Sequence, residues 1–196
     1  FDRDPRKSKP RFIAFAVPFG WILKPEEFEK GLDVAVSNIK RIPSSSIDST
    51  IKNYHWLDLV TGMFDAYDRG HHTAILTDEE NNVLEGPGFN IFSVDEIGLS
   101  TPDRGVLEGI TRQTVLELAK ELKLPFNLKP LSLQKLKSST EVFATSTAGG
   151  IMPITKINGQ QIGTGIPGTI TRQLHKVYWD KHIDPTWSLA VEDLLQ

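Results

Sequence analysis

The chain has no cysteine among its 196 residues, which excludes disulfide staples, thiolate metal sites and a cysteine nucleophile. It has no Asn-x-Ser/Thr acceptor, no apolar run of membrane-spanning length and no serine in a G-x-S-x-G elbow. Glycosylation, a membrane partner and serine hydrolysis lose their usual signatures with them. Its histidines, His55, His71, His72, His175 and His182, show no spacing comparable to H-E-x-x-H, so no metal is expected. Charge of one sign is also missing: 22 Lys and Arg against 25 Asp and Glu give a net charge of −3. These charges are interspersed, and without a basic stripe nucleic acid is not an expected partner.

What is present is ordinary for a globular chain, with 39% apolar and 24% charged residues, and the length suits one domain with a real core. The first ten residues are polar, lack the apolar core of a signal peptide, and read as a linker leading into a strand at residues 11–17. A second strand is expected at 32–36, with at most a helical turn over 25–28 between them. Trp56, Leu59, Val60, Met63, Phe64 and Tyr67 follow helical spacing until Gly70 stops it.

Strands are expected at 73–77 and 89–94 around a turn at Asn81-Asn82, a meander in which antiparallel pairing is favoured. A second helix carries Ile110, Val115, Leu118, Ala119 and Leu122, and a strand follows at 141–145. Residues 154–157 and 160–162 flank Asn158-Gly159, a dipeptide suited to a type I′ hairpin turn. A last helix is expected at about 169–182. No repeat or low-complexity tract interrupts this order, which predicts an α+β sheet domain with helices packed on it.

Four places could carry chemistry. Lys52 stands just before the first long helix, between the apolar Ile51 and Tyr54; a lone lysine is most often a solvated surface group, but one partly withdrawn from water can attack an aldehyde. Glu85 precedes Gly86-Pro87-Gly88, where glycines admit a close ligand, and its carboxylate could hold a pyridine nitrogen protonated. Otherwise it is a turn glutamate. Gly109-Ile110-Thr111 opens a helix, so the amides of Ile110 and Thr111 and the Thr111 hydroxyl could bind phosphate, or Thr111 could be an ordinary cap. Thr145-Ser146-Thr147 before Ala148-Gly149-Gly150 could form a second anion nest or a polar turn.

One run competes with these. Gly163-Thr164-Gly165-Ile166-Pro167-Gly168 matches G-x-G-x-x-G and precedes a helix, which suggests a dinucleotide, yet the segment before it reads as a hairpin arm and no βαβ unit surrounds it. It is taken as a Gly-rich connection.

Leu84-Glu85-Gly86 with Asn90-Ile91-Phe92, Thr101-Pro102-Asp103-Arg104-Gly105, Gly109-Ile110-Thr111-Arg112 and Ser146-Thr147-Ala148-Gly149-Gly150 together resemble the class IV (fold type IV) pyridoxal phosphate aminotransferases, from about Phe12 to Tyr178. Ile47-Asp48 with Lys52-Asn53, Trp56 and Asp58-Leu59, and also Gly149-Gly150-Ile151-Met152-Pro153-Ile154, are most similar to the (R)-selective amine:pyruvate transaminases. His55 and Leu57 depart from the Gln and Gly that such enzymes often carry around the tryptophan.

The resemblance implies a D-amino acid aminotransferase-like fold: the large domain, with a mixed or antiparallel sheet or pseudo-barrel and packed helices. Residues 1–10 would be the linker from an N-terminal small domain that supplies a phosphate-binding arginine, and 11–196 the large cofactor-binding domain. It implies pyridoxal 5'-phosphate as cofactor, Lys52 as internal aldimine and proton shuttle, Glu85 as partner of the pyridinium, and Ile110, Thr111 and Thr147 as phosphate ligands. Trp56 and Ala148 would border the substrate pocket.

The implied reaction moves an amino group from a primary amine, R-configured, to a keto acid such as pyruvate, in a cytoplasmic homodimer. A branched-chain or D-amino acid aminotransferase or an aminodeoxychorismate lyase is the alternative within the family. A noncatalytic dimerisation or ligand-binding module of the same fold is the alternative outside enzymes, and retention of both Lys52 and Glu85 weighs against it.

Overall fold

The structure is a computed structural model that describes residues 3–191. The first two residues of the expected linker and residues 192–196 of the expected large domain lie outside the described residues. In chain order, β1 (Leu32–Lys40), α1 (Leu57–Asp68) and β2 (Thr73–Thr77) precede the short β3 (Asn82–Val83) and β4 (Glu85–Gly86), then β5 (Phe89–Asp95) and β6 (Gly98–Thr101). After α2 (Ile110–Glu121) come β7 (Phe126–Leu128), β8 (Leu131–Ser132) and the short α3 (Leu133–Lys137). The chain then forms β9 (Glu141–Ser146), β10 (Gly150–Ile157), β11 (Gln160–Gln161) and α4 (Thr169–Asp180).

Among the described residues eleven strands join one mixed sheet, in the order β7-β6-β5-β9-β10-β1-β2-β3-β8, with β11 on β10 and β4 on β5. The sheet curls back on itself. β4 pairs with β5, and the next residue back, Leu84, donates its amide to the Leu76 carbonyl of β2 at 3.0 Å, which closes a pseudo-barrel through β5, β9, β10, β1, β2 and β4. That seam is tight, because a β-carbon on Gly86 would lie 2.5 Å from the Ala74 carbonyl oxygen and 2.1 Å from the Phe89 ring. Only a glycine lets the two backbones approach this closely.

Pairing is antiparallel through β5, β9 and β10, but β1 runs parallel to both β10 and β2. The strands expected at 73–77 and 89–94 take antiparallel partners on the β3, β4, β6 and β9 sides, whereas β2 is parallel to β1 and is reached from it through α1, the kind of long crossover such a pair requires. A correction concerns residues 11–17, which form no strand; Phe12, Phe15 and Val17 are 94%, 83% and 72% exposed. A continuous apolar run becomes a strand only where a neighbouring strand accepts and donates along the backbone.

The strands around the barrel are buried on both faces, which explains why their sequences are nearly continuous in apolar residues. Phe89, Ile91, Val142, Ala144, Met152 and Ile154 point into the barrel core. The alternate residues Phe92, Phe143 and Ile151 meet Val115 and Leu118 of α2 and Leu174 and Tyr178 of α4 on the outside. Phe92 and Phe143, register partners across β5 and β9, stack with centroids 5.0 Å apart. Leu59 and Ala66 of α1 cover β1 and β2 at Ala35, Ala74 and Leu76.

Local stop signals hold where the backbone needs them. Gly70 takes φ +78° just past α1, with His71 and Gly70 amides returning to the Ala66 and Tyr67 carbonyls in a Schellman end. Asn158 and Gly159, at φ +51° and +74°, make the β10–β11 turn. Among the described residues no helix is long and apolar enough to cross a membrane, and no three His, Cys, Asp or Glu side chains gather to hold a metal.

Candidate active site

A cavity of about 390 Å³ opens where β4, the start of α2, the end of β9 and the loop before α1 converge, and Lys52, Trp56, Glu85, Ile110, Thr111 and Thr147 all line it. Residues scattered over almost a hundred positions thus meet because the barrel seam places β4 beside β5 while β5 pairs with β9. Lys52 and Trp56 come from the loop that ends in α1, and the Lys52 side chain is exposed at the cavity. Ile51 also lines it. Tyr54, expected to shield the lysine, points instead to solvent.

Glu85 is 6% exposed, and each of its oxygens is fixed from the protein side. Oε1 accepts from Arg41 Nε at 3.1 Å, and Oε2 accepts from the Leu107 amide at 3.0 Å. Burial pushes the carboxyl above its ordinary value, against the Leu107 amide and Arg41, which both pull it down. Arg41 carries a second carboxylate, since its Nη1 donates to Asp58 Oδ2 at 2.6 Å. Burial opposes ionisation of Asp58 too, but the Ile42 amide, Arg41 and the Leu59 amide outweigh it and hold that carboxyl below the usual range.

At the far wall α2 begins at Gly109 with no side-chain cap, so its first amides are free for an anion. Thr111 is not a cap: its hydroxyl is buried without a partner, as is that of Thr145 in the same cavity. Beneath this turn the Arg112 guanidinium, 2% exposed, donates to the Pro102 carbonyl at 2.8 Å and adds positive charge to the helix start. The start of α4, which follows the G-x-G-x-x-G run, is different. The Glu141 carboxylate already accepts from the Ile170 and Thr171 amides at 3.1 and 2.8 Å, leaving no seat for a phosphate.

Ala148 is the one expected pocket residue that does not line the cavity; it follows Thr147, and its carbonyl accepts the Ile22 amide at 2.9 Å. His55, which stands where the resembled enzymes often carry Gln, is exposed and precedes α1. Thr145, named only within the possible anion nest, and Asp58, named only within the resemblance, belong to the site through their side chains. Arg41 is the site residue that was missed; its one signal is a charge just past β1.

These features, a lysine and a buried carboxylate facing an uncapped helix start, coincide with the extent of a known family: the model for amino-transferase class IV matches residues 2–157. The chain belongs to the class IV aminotransferases. The branched-chain-amino-acid aminotransferase of Escherichia coli K12 is 32% identical over 170 residues, 85% of this chain and 55% of that protein. The crystal structure of the Escherichia coli branched-chain enzyme superposes with a TM-score of 0.80 at 31% identity, covering 84% of this chain and 55% of that one.

A class IV aminotransferase neighbour from Thermobaculum terrenum, a branched-chain amino acid aminotransferase solved in its pyridoxal phosphate form, gives a TM-score of 0.75 at 31% identity over 81% of this chain and 53% of its own. The present chain spans about half the length of these relatives. The class IV fold is the mixed, curled sheet with packed helices described above, and class IV aminotransferases depend on pyridoxal phosphate.

Proposed function

We propose that the chain binds pyridoxal phosphate in this cavity and transfers an amino group from a primary amine, R-configured, to a keto acid such as pyruvate. The observation that carries the reading is the convergence of Lys52, Glu85 and the open α2 start on one cavity. The residues fit the cofactor: two buried hydroxyls, Thr111 and Thr145, have no protein partner, and such groups are costly unless a ligand completes them.

Pyridoxal phosphate, when bound, supplies an aldehyde for amines and a ring that draws electrons from the carbon beside the transferred nitrogen. The amides of Ile110 and Thr111, the Thr111 hydroxyl and Thr147 hold the phosphate, helped by the α2 dipole. Glu85, fixed by Arg41 and Leu107, keeps a proton on the ring nitrogen. Lys52 would hold the aldehyde through its amine and would move a proton at the substrate carbon. Trp56 narrows the substrate side, next to Gly88, and Ala148 is assigned to the same border. A homodimer is proposed as the working form.

The amine reading is supported by the Lys52-Asn53 spacing and by Trp56. A branched-chain amino acid as donor is the second reading, favoured by the names of the relatives. Amino transfer to pyruvate from each enantiomer of 1-phenylethylamine and from L-valine and L-leucine separates them. The first reading expects turnover of the R enantiomer and not the S; turnover of the two amino acids alone would replace it with the second.

A further inference from the structure

The Arg41 guanidinium is divided between two carboxylates that belong to different parts of the fold. Its Nη1 faces Asp58 at 2.6 Å and its Nη2 faces Glu85 at 3.1 Å, and the three side chains are only 8%, 13% and 7% exposed for Arg41, Asp58 and Glu85. Asp58 Oδ2 also accepts the Ile42 amide at 2.7 Å, which ties the first turn of α1 to the chain just past β1. The loop bearing Lys52 ends at that tether, six residues on. We infer that Asp58 is a positioning residue that acts on Glu85 through Arg41, keeping the Glu85 carboxylate uncompensated enough to hold a cationic nitrogen in the cavity. The inference rests on Glu85 being the partner of the cofactor ring nitrogen.

The charge count explains why one guanidinium serves two acids. Arg41 and Glu85 alone would be a neutral pair, and a carboxylate already neutralised by a buried guanidinium attracts a further cation weakly. Asp58 returns the cluster to a net charge of −1, and at these separations and burial the interaction of unit charges is several times stronger than in water. Asp58 tolerates its own burial because two backbone amides and Arg41 satisfy it. Its presence also adds to the raised proton affinity of Glu85, in the sense expected of a nearby like charge.

The other charged groups bordering Glu85 are Lys52 from the loop before α1 and Glu108 from the segment before α2, while its β5 register partner Asn90 is neutral. Lys52 and Glu108 are both exposed to solvent, which screens their charges. Arg41 and Asp58 are therefore the pair that sets the field at Glu85.

The test is the ring-nitrogen signal of ¹⁵N-labelled pyridoxal phosphate bound to the enzyme, followed against pH by NMR, together with cofactor affinity. Asp58→Asn keeps acceptors for the Ile42 amide and Arg41 while removing the charge, and Asp58→Ser is a second neutral replacement should the first not fold. Either should lower the apparent pKa of the ring nitrogen by about one unit, tenfold in proton affinity, and Asp58→Glu should restore it. Glu85→Gln should abolish the protonated signal altogether. If Glu85→Gln shifts the signal but neutral Asp58 variants do not, the role of Asp58 is overturned while that of Glu85 stands; if Glu85→Gln shifts nothing, the reading of Glu85 itself fails.

Discussion

Gly109 faces Asn90 so closely that a β-carbon on it would stand 2.4 Å from Asn90 Oδ1. Gly109 has φ −61°, a value any residue adopts, so space and not backbone freedom demands glycine here. Asn90 meanwhile donates to the Leu107 carbonyl at 2.8 Å, pinning β5 to the segment that leads into α2. Gly109→Ala should push Asn90 aside and shift the first turn of α2. We expect a loss of about 1–3 kcal/mol of stability and at least about tenfold weaker pyridoxal phosphate binding, an interaction worth about 1.4 kcal/mol. Thermal unfolding and a cofactor titration check both.

Thr111 and Thr145 give opposite effects on the empty and the loaded protein. Their hydroxyls are buried and unpaired, so Thr→Val at either place removes an unsatisfied group at nearly constant shape and should leave the melting temperature without cofactor unchanged or raised. Thr111→Val should weaken cofactor binding by about 1.5–3 kcal/mol, the usual worth of a hydrogen bond to a charged group. Calorimetric titration with pyridoxal phosphate and melting without it separate this from ordinary destabilisation.

His175 makes stability fall with acid. Its ring lies 4.0 Å from the Phe28 ring, centroid to centroid, and burial depresses its pKa, opposed by the bond to the Ile151 carbonyl. The folded state therefore keeps the imidazole neutral below pH about 6.5, where the unfolded chain takes up a proton. Stability should be full above that pH and decline as pH falls below it, until the folded pKa is reached. Melting temperatures measured from pH 7.5 to 5 should show this decline, and His175→Gln should flatten it.

Glu141 separates a structural helix start from a ligand-binding one. Its carboxylate accepts from the Ile170 and Thr171 amides and from the Thr171 hydroxyl, at 3.1, 2.8 and 2.7 Å. Glu141→Ala should cost about 1–2 kcal/mol through loss of the cap on α4 and leave cofactor affinity unaltered. Chemical denaturation and a cofactor titration measure the two effects.

The sequence made the helices readable because their signals are local: Gly70 and Gly109 bound α1 and α2 where the apolar spacing stops and starts. The strands were readable as apolar stretches, but not their partners. Parallel placement of β1 depends on β10, more than a hundred residues away, and residues 12–17 are a continuous apolar run with no strand among the described residues to receive them. Lys52, Glu85, Ile110, Thr111, Trp56 and Thr147 could be named in advance because each sits in a short motif and the structure gathers all six at one cavity. Arg41 carries no motif, and Asp58 and Thr145 sit in runs that gave neither a role of its own. Arg41 and Asp58 enter the site through an ion network that spans β1, α1 and β4, and Thr145 through a hydroxyl whose lack of a partner appears only in three dimensions.

The most direct measurement is to load the enzyme with pyridoxal phosphate, reduce it with borohydride and map the modified peptide by mass spectrometry, alongside the Lys52→Ala variant. One reduced cofactor linkage is expected on Lys52, absent from the variant even where the variant still binds pyridoxal phosphate. A linkage on another lysine, or one that survives in Lys52→Ala, would contradict this role of Lys52.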